Sequence, residues 1–227
     1  MNKDVALVLS IQHTGTWFAI EFLRQHSHAG PFHELNKMIG GPLTEKSVVH
    51  AHIAGPEFAS GQSRALGRKD GTNAIPTYPA YEILIETDRV IMPVRDPMLS
   101  LLTRHGRHPL LAHTFIVDAF TRVAKKHEGV LFLPVDCEPD RRKALLYDVL
   151  TKANLAWDDP YIEIWSRDWK PQNVSPDTAE KQWYRDGVWD KLYPVLKEEI
   201  DLLLENKHVL IPFLQELGYK ELPWWTL

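Results

Sequence analysis

A chain of 227 residues with 44% hydrophobic and 25% charged residues has the composition of one globular domain with a full buried core, which excludes disordered and collagen-like classes. A formal net charge of -4 argues against a surface built to attract nucleic acid, and the single cysteine, Cys137, allows neither an intramolecular disulfide nor a cysteine-based zinc site, as expected of a cytoplasmic protein. No apolar run reaches the roughly eighteen residues of a membrane span, and MNKDVALVLSIQ carries no small-residue cleavage pattern, so neither a span nor a signal peptide is expected.

In chain order, Val5 to Ile11 reads as a buried strand, followed by a helix over Thr16 to Gln25 with Trp17, Ile20, Phe22 and Leu23 on its inward face. Lys46 to Ile53 is a second short strand. Residues 54–79, rich in Gly, Pro, Ser and Asn, read as a lid or acceptor-side loop inside the single domain 1–227. Arg89 to Val94 is a third strand, and Pro97 suits the first turn of a helix over Met98 to Arg104. A long helix from about Leu110 to Lys126 precedes the strand GVLFLPV and a helix from Asp140 to Lys152. After Thr178 the chain reads as helical throughout, giving a helical C-terminal third, with Gly218 closing the last turn. This alternation predicts an α/β protein of three layers, a parallel sheet flanked by helices, whose ligands sit at the carboxyl ends of the strands.

Two strand ends carry chemistry. In QHTGTW, Gly15 permits a tight turn, and the amides of Thr14 to Trp17 open a helix toward an anion, aided by the hydroxyls of Thr14 and Thr16 and by the helix dipole. The pattern GxxxxGK[ST] of ATPases and GTPases is not met, since no glycine precedes Gly15 by five residues and no lysine follows it. An ordinary strand-to-helix turn with an N-cap threonine is the plain alternative. In VIMPVRDPMLSLLTRHGR, Arg95 stands at a strand's carboxyl end, where it can hold a phosphate through two parallel hydrogen bonds, with Thr103 adding a hydroxyl. The plain alternative there is a capping turn at Asp96.

A strand, a (S/T)GT loop opening a helix, and a later strand ending in Arg-x-Pro with a Ser or Thr eight residues after the Arg resembles the sulfotransferase family that uses 3′-phosphoadenosine 5′-phosphosulfate (PAPS). The resemblance covers residues 5 to 105 and implies a P-loop-like fold. It also implies that His13, Thr14, Gly15, Thr16 and Trp17 hold the 5′-phosphosulfate, while Arg95 and Thr103 hold the 3′-phosphate. His13 falls where the family has Lys or Arg; its usual pKa is about 6.5, and two adjacent anionic groups would raise it by favouring the charged form.

Sulfuryl transfer also needs a base for the acceptor's proton. The resemblance offers two: His52, in SVVHAHIAG at the end of the second strand, and Glu34, in GPFHELNK after the first helix. Strand alternation puts His50 on the same face as His52. His50, His52 and His33 also invite a zinc reading, but nothing in the sequence assembles a third ligand beside the H-x-H pair, and the family needs no metal. Arg185 and Gly187, in KQWYRDGVWD, resemble the family's last cofactor segment, although its Arg-Lys-Gly-x-x-Gly pattern is half present. The adenine is expected to stack on Trp17 or Phe18.

The expected function is sulfuryl transfer from PAPS to a hydroxyl or amine of a small acceptor, releasing adenosine 3′,5′-bisphosphate. A divergent nucleotide-dependent kinase on the same fold and a non-catalytic nucleotide-binding protein are the alternatives.

Overall fold

Residues 6–10, ALVLS, are buried on both faces, as a central strand of a parallel sheet requires. The computed structural model describes residues 5–11, 14–34, 45–52, 88–104, 117, 120–121, 124–125, 129–137, 139–167, 194 and 196–227, with only the backbone of His52, Leu99, Leu102 to Arg104 and Pro223. Strands β1 (Ala6–Ser10), β2 (Phe32–Glu34), β3 (Val48–His52), β4 (Val90–Val94) and β5 (Val130–Pro134) pair in the order β2-β3-β1-β4-β5. Every pairing is parallel, so all five carboxyl ends lie along one edge. The described helices are α1 (Thr16–Arg24), α2 (Pro97–Arg104), α3 (Pro139–Lys152), α4 (Asp159–Arg167), α5 (Lys197–Glu205) and α6 (Lys207–Glu216), with a final 3-10 turn, Pro223–Thr226.

The period of two sorts the strand side chains onto the two faces of the sheet, where they join two large cores and a smaller cluster of Leu7, Leu9, Val49, Ala51 and Val90. On one face Ala6, Val8, Val48, Ile91 and Leu133 pack against Phe18, Ile20 and Phe22 of α1, Leu146 and Leu150 of α3, and Ile162 of α4. On the other, Met92, Val94 and Phe132 pack against Met98 and Leu101 of α2, Ile200 and Leu203 of α5, Leu210 and Phe213 of α6, and Trp224. The sheet is therefore covered by helices on both sides, an α/β arrangement.

Two elements escape the sequence reading. β2 has three residues, two of them the polar His33 and Glu34, so no apolar alternation marks it; backbone pairing with β3 makes it a strand. α4 is a second such element: Tyr161 stacks on Phe22 and Trp165 meets it edge-on, and both are partly buried where α4 docks on α1. From β1 to α3 the remaining strand and helix positions agree with expectation to within a residue or two, whereas the expectation of helix throughout after Thr178 is corrected among the described residues: α5 and α6 are separated at Asn206, and residues 217–222 are not helical. Within the expected helix 110–126, the described Val117, Phe120, Thr121, Ala124 and Lys125 are helical, and Val117 and Phe120 are buried. Residues 54–79 and 178–193 lie outside the described residues.

Gly218 ends α6 as expected. Its positive φ of 80° lets the Gly218 amide donate to Gln215 (2.8 Å) and the Tyr219 amide to Leu214 (2.9 Å), the paired bonds of a Schellman turn. That turn sends Tyr219 and Trp224 back to the carboxyl ends of β4 and β5.

Candidate functional site

The chain leaves β1 toward β2 on one side of the sheet and leaves β4 toward β5 on the other, so the connections diverge between β1 and β4. In open parallel sheets this is where a crevice forms at the carboxyl edge. The loop after β1 and Arg95 after β4 flank it.

Gly15 adopts φ 85°, ψ 23° and is itself the N-cap of α1, with no side-chain capping bond, which corrects the threonine-cap alternative. A β-carbon there would lie 2.5 Å from Val135 Cγ2, so the loop is drawn onto the end of β5 as closely as a glycine allows. The first helical bonds run from the Phe18 and Ala19 amides to the Gly15 carbonyl (3.0 and 3.4 Å), so the amides of Thr16 and Trp17 precede the helical ladder. The hydroxyls do not aim outward as expected. Thr14 is buried and donates to the Ile11 carbonyl at 2.7 Å, and Thr16 donates to the same oxygen at 3.4 Å, so these side chains brace the loop and leave anion contact to the backbone. Trp17, expected on the inward face of α1, is instead 65% exposed in the first turn, because the buried face is taken by Phe18, Ala19, Phe22 and Leu23; its ring is an available stacking surface. Phe18 is not: it is wholly buried, with its ring 5.7 Å from Trp165.

On the α1 face, three polar side chains from three strands form a chain. Ser10 Oγ lies 2.8 Å from His50 Nε2, and His50 Nδ1 lies 2.7 Å from Glu34 Oε2. All three are buried. The register explains the contact: Glu34 is the partner of His50 across β2 and β3, and His50 is the partner of Val8, two residues before Ser10. Glu34, one of the two expected bases, is thus held by a histidine. Of His52, the other, the backbone pairs with Ser10 at the end of β3. His33 neighbours Glu34 in the strand and so faces the opposite side of the sheet from His50, which separates two members of the zinc reading. Burial pulls the His33 imidazole below its usual pKa.

Beyond β4 lies a second polar cluster. Arg95 is partly buried among Asp96, Asp136 and Tyr219; burial lowers its pKa, the two carboxylates oppose that, and it stays charged. Asp96 caps α2, its Oδ1 accepting from the Met98 amide at 2.9 Å, so the capping alternative for this turn is realised. The same oxygen accepts from Trp224 Nε1 at 2.8 Å. Asp136 accepts from the Tyr219 hydroxyl and from the Asp96 amide (3.4 Å). Burial, reinforced by Asp136, pushes the Asp96 carboxyl up to about 7. Asp136 is raised by burial as well. Trp224→Phe keeps an aromatic ring in the site but removes the donor from a buried carboxylate, so urea unfolding at pH 8 is expected to show a loss of about 1–3 kcal/mol; an unchanged midpoint would mean that the indole bond carries no weight.

The structure therefore brings Gly15, the Thr16 and Trp17 amides and Arg95 to one edge, and Glu34 to the same edge on the far side of β3. Thr103 is placed by its backbone in α2. His13, Arg185 and Gly187 lie outside the described residues. Sequence reasoning missed Ser10, Asp136, Tyr219 and Trp224. A faint signal existed for Ser10, the one polar residue in an otherwise apolar strand. None existed for Tyr219 or Trp224, which reach the site from the far end of the chain. Comparisons with family models, curated proteins and solved structures find no match for this chain.

Proposed function

We propose that the protein is a PAPS-dependent sulfotransferase with a P-loop-like fold, moving a sulfuryl group to a hydroxyl or amine of a small acceptor. One observation carries the reading: a glycine-capped helix N-terminus at the end of β1 sits beside an arginine at the end of β4, across the divergence of the sheet. The strand order β2-β3-β1-β4-β5, with a helix opened directly after β1, supports the P-loop-like part.

A nucleotide with phosphate groups at both its 5′ and 3′ positions needs two separate anion sites, and a helix N-terminus and an arginine are suitable groups. The amides of Thr16 and Trp17 and the positive end of the α1 dipole would hold the 5′ group, joined by His13. Arg95, with Thr103, would hold the 3′-phosphate, and the exposed Trp17 ring would stack on the base. PAPS supplies an activated sulfuryl group on a phosphate leaving group. The chain's own contribution is to align that group with the acceptor, oppose the charge that develops on the leaving oxygen, and remove the acceptor's proton.

Thermal unfolding with adenosine 3′,5′-bisphosphate against ATP plus Mg2+ tests this. The bisphosphate is expected to raise Tm, and Arg95→Ala to weaken its binding about tenfold or more through loss of a charge-assisted pair. Stabilisation by ATP plus Mg2+ alone would favour the kinase alternative and overturn the sulfotransferase reading.

A further inference from the structure

We propose that the surface at the amino edge of the sheet, where α3 ends, is a second binding site, one that takes a ring of a neutral oligosaccharide with Trp157 as its stacking platform. It lies at the opposite edge from Gly15 and Arg95 and does not rest on the sulfotransferase reading.

The platform follows from how α3 stops. Asn154 takes a left-handed φ of 57°, a conformation that asparagine tolerates better than most residues. The Asn154 amide then donates to Thr151 (3.1 Å) and the Leu155 amide to Leu150 (2.9 Å), a Schellman turn that reverses the chain. The reversal brings Trp157 back onto the last turns of α3. Its Nε1 donates to Thr151 Oγ1 at 3.0 Å, and its ring meets Tyr147 nearly edge-on, with centroids 5.4 Å apart at 77°. Tyr147 is held in turn, its hydroxyl donating to Asp159 Oδ1 at 2.7 Å. The indole is thus fixed by its neighbours while the residue remains 67% exposed. Since its one polar atom is engaged, what it offers outward is apolar ring.

Thr151 also lines a hollow of about 370 Å³, walled by Asp148 and Lys152 of α3, Asp88 and Arg89 before β4, and Leu131 near the start of β5. Arg89 Nη1 donates to the Lys152 carbonyl at 3.3 Å, which ties the end of α3 to the start of β4. Platform and hollow therefore share Thr151 and form one surface. The volume lies at the small end of the range for ligand sites, room for a single sugar ring.

The lining decides the ligand class. Asp88 and Asp148 balance Arg89 and Lys152, so the hollow has no net charge. An anion would meet the two carboxylates and a cation the two bases, and neither gains a field of one sign. A wholly apolar ligand would strip water from four charged groups without replacing its hydrogen bonds. A sugar avoids both penalties. Each hydroxyl can donate to a carboxylate and accept from a guanidinium or ammonium group, while the C–H face of the ring is apolar and can lie flat on an indole. A lone exposed tryptophan is ordinary. Trp157 differs in being held in place beside a charge-balanced hollow.

The test titrates the full-length protein with neutral hexasaccharides of maltose, cellulose, xylan and chitin type, read by calorimetry and tryptophan emission. A sulfated hexasaccharide and phosphocholine serve as charged probes. At least one neutral series is expected to bind with a Kd of about 1 mM or tighter, and Trp157→Ala to weaken it about tenfold or more. Asp148→Ala removes an acceptor from an exposed position near the carboxyl end of α3, where alanine suits the helix better. It should weaken the same sugar about threefold or more without lowering Tm. Arg95→Ala should leave sugar binding unchanged, and Trp157→Ala should leave stabilisation by adenosine 3′,5′-bisphosphate unchanged.

Failure of every neutral series to bind at about 10 mM overturns the proposal, as does sugar binding that survives Trp157→Ala. Binding of the sulfated sugar or phosphocholine alone, lost in Trp157→Ala, would give the platform to a charged ligand and overturn it as well. The sulfotransferase reading stands or falls on the bisphosphate shift, whichever of these results is found.

Discussion

Replacing Gly15 with alanine is expected to lower the free energy of unfolding by about 3 kcal/mol, measured as a shift in urea midpoint at unchanged m. Two penalties combine. An L-residue held at φ 85° costs roughly 1–2 kcal/mol, because its β-carbon crowds the following carbonyl. The new β-carbon must also sit 2.5 Å from Val135 Cγ2, well inside van der Waals contact, and overpacking of this kind costs about 1–3 kcal/mol. Gly129 provides the control. It also has a positive φ, 76°, but a β-carbon there meets nothing within 4 Å, so Gly129→Ala should show the conformational penalty alone, about 1 kcal/mol. If the two alanine variants lose the same stability, the contact with Val135 is not what holds the loop down. The functional consequence follows from the same geometry. Either the loop lifts off β5 or α1 shifts, and in both cases the Thr16 and Trp17 amides leave the edge, so stabilisation by adenosine 3′,5′-bisphosphate should be lost with the fold otherwise intact.

Stability should also fall as pH rises from about 4 to about 7, and Asp96 should be the main source. In the folded protein burial raises its carboxyl to about 7, Asp136 adds to the rise, and bonds from Met98 and Trp224 oppose it. In the unfolded chain it titrates near its ordinary value of about 3.9. Between those values the folded state holds a proton that the unfolded state has lost, so the slope of unfolding free energy against pH is negative. The stabilisation is complete below about pH 4 and is lost as pH rises through about 7. About three pKa units correspond to roughly 4 kcal/mol across the window. Asp136, also raised, acts in the same direction. His26 and His33, held below their usual pKa by burial, act in the opposite direction as pH falls below about 6.5. Asp96→Asn separates these effects. Asparagine can still accept from Trp224 and Met98 through its Oδ1 but cannot ionise, so the variant should unfold at higher urea than wild type at pH 8 and lose much of the advantage at pH 5. A wild type that gains stability relative to Asp96→Asn between pH 5 and pH 8 would show that the Asp96 carboxyl is not destabilised by its site.

Much of this architecture is legible in the sequence because it rests on local patterns. The apolar runs of β1, β4 and β5 announce strands buried on both faces. Pro97 and Gly218 mark a helix start and a helix stop through their own backbone chemistry. Gly15, between a strand and an amphipathic stretch, marks the turn into α1. The candidate base was half legible. Glu34 and the histidine pair of β3 stood out as polar residues at strand ends, but which of them touch depends on how three strands are aligned. A shift of one residue in the pairing of β2 would have turned Glu34 to the opposite face.

By itself, then, the sequence determined the alternation of strand and helix, the place of the glycine turn and the arginine at the end of β4, since each depends on residues adjacent in the chain. Only the tertiary structure decided that Ser10, His50 and Glu34 form one hydrogen-bonded chain, that Val135 closes over Gly15, and that Trp224 caps the carboxylate of Asp96. Those contacts join residues 16 to 128 positions apart. No local propensity encodes them. They follow from strand order, register and the burial of apolar faces, which place the polar groups together once the sheet is assembled.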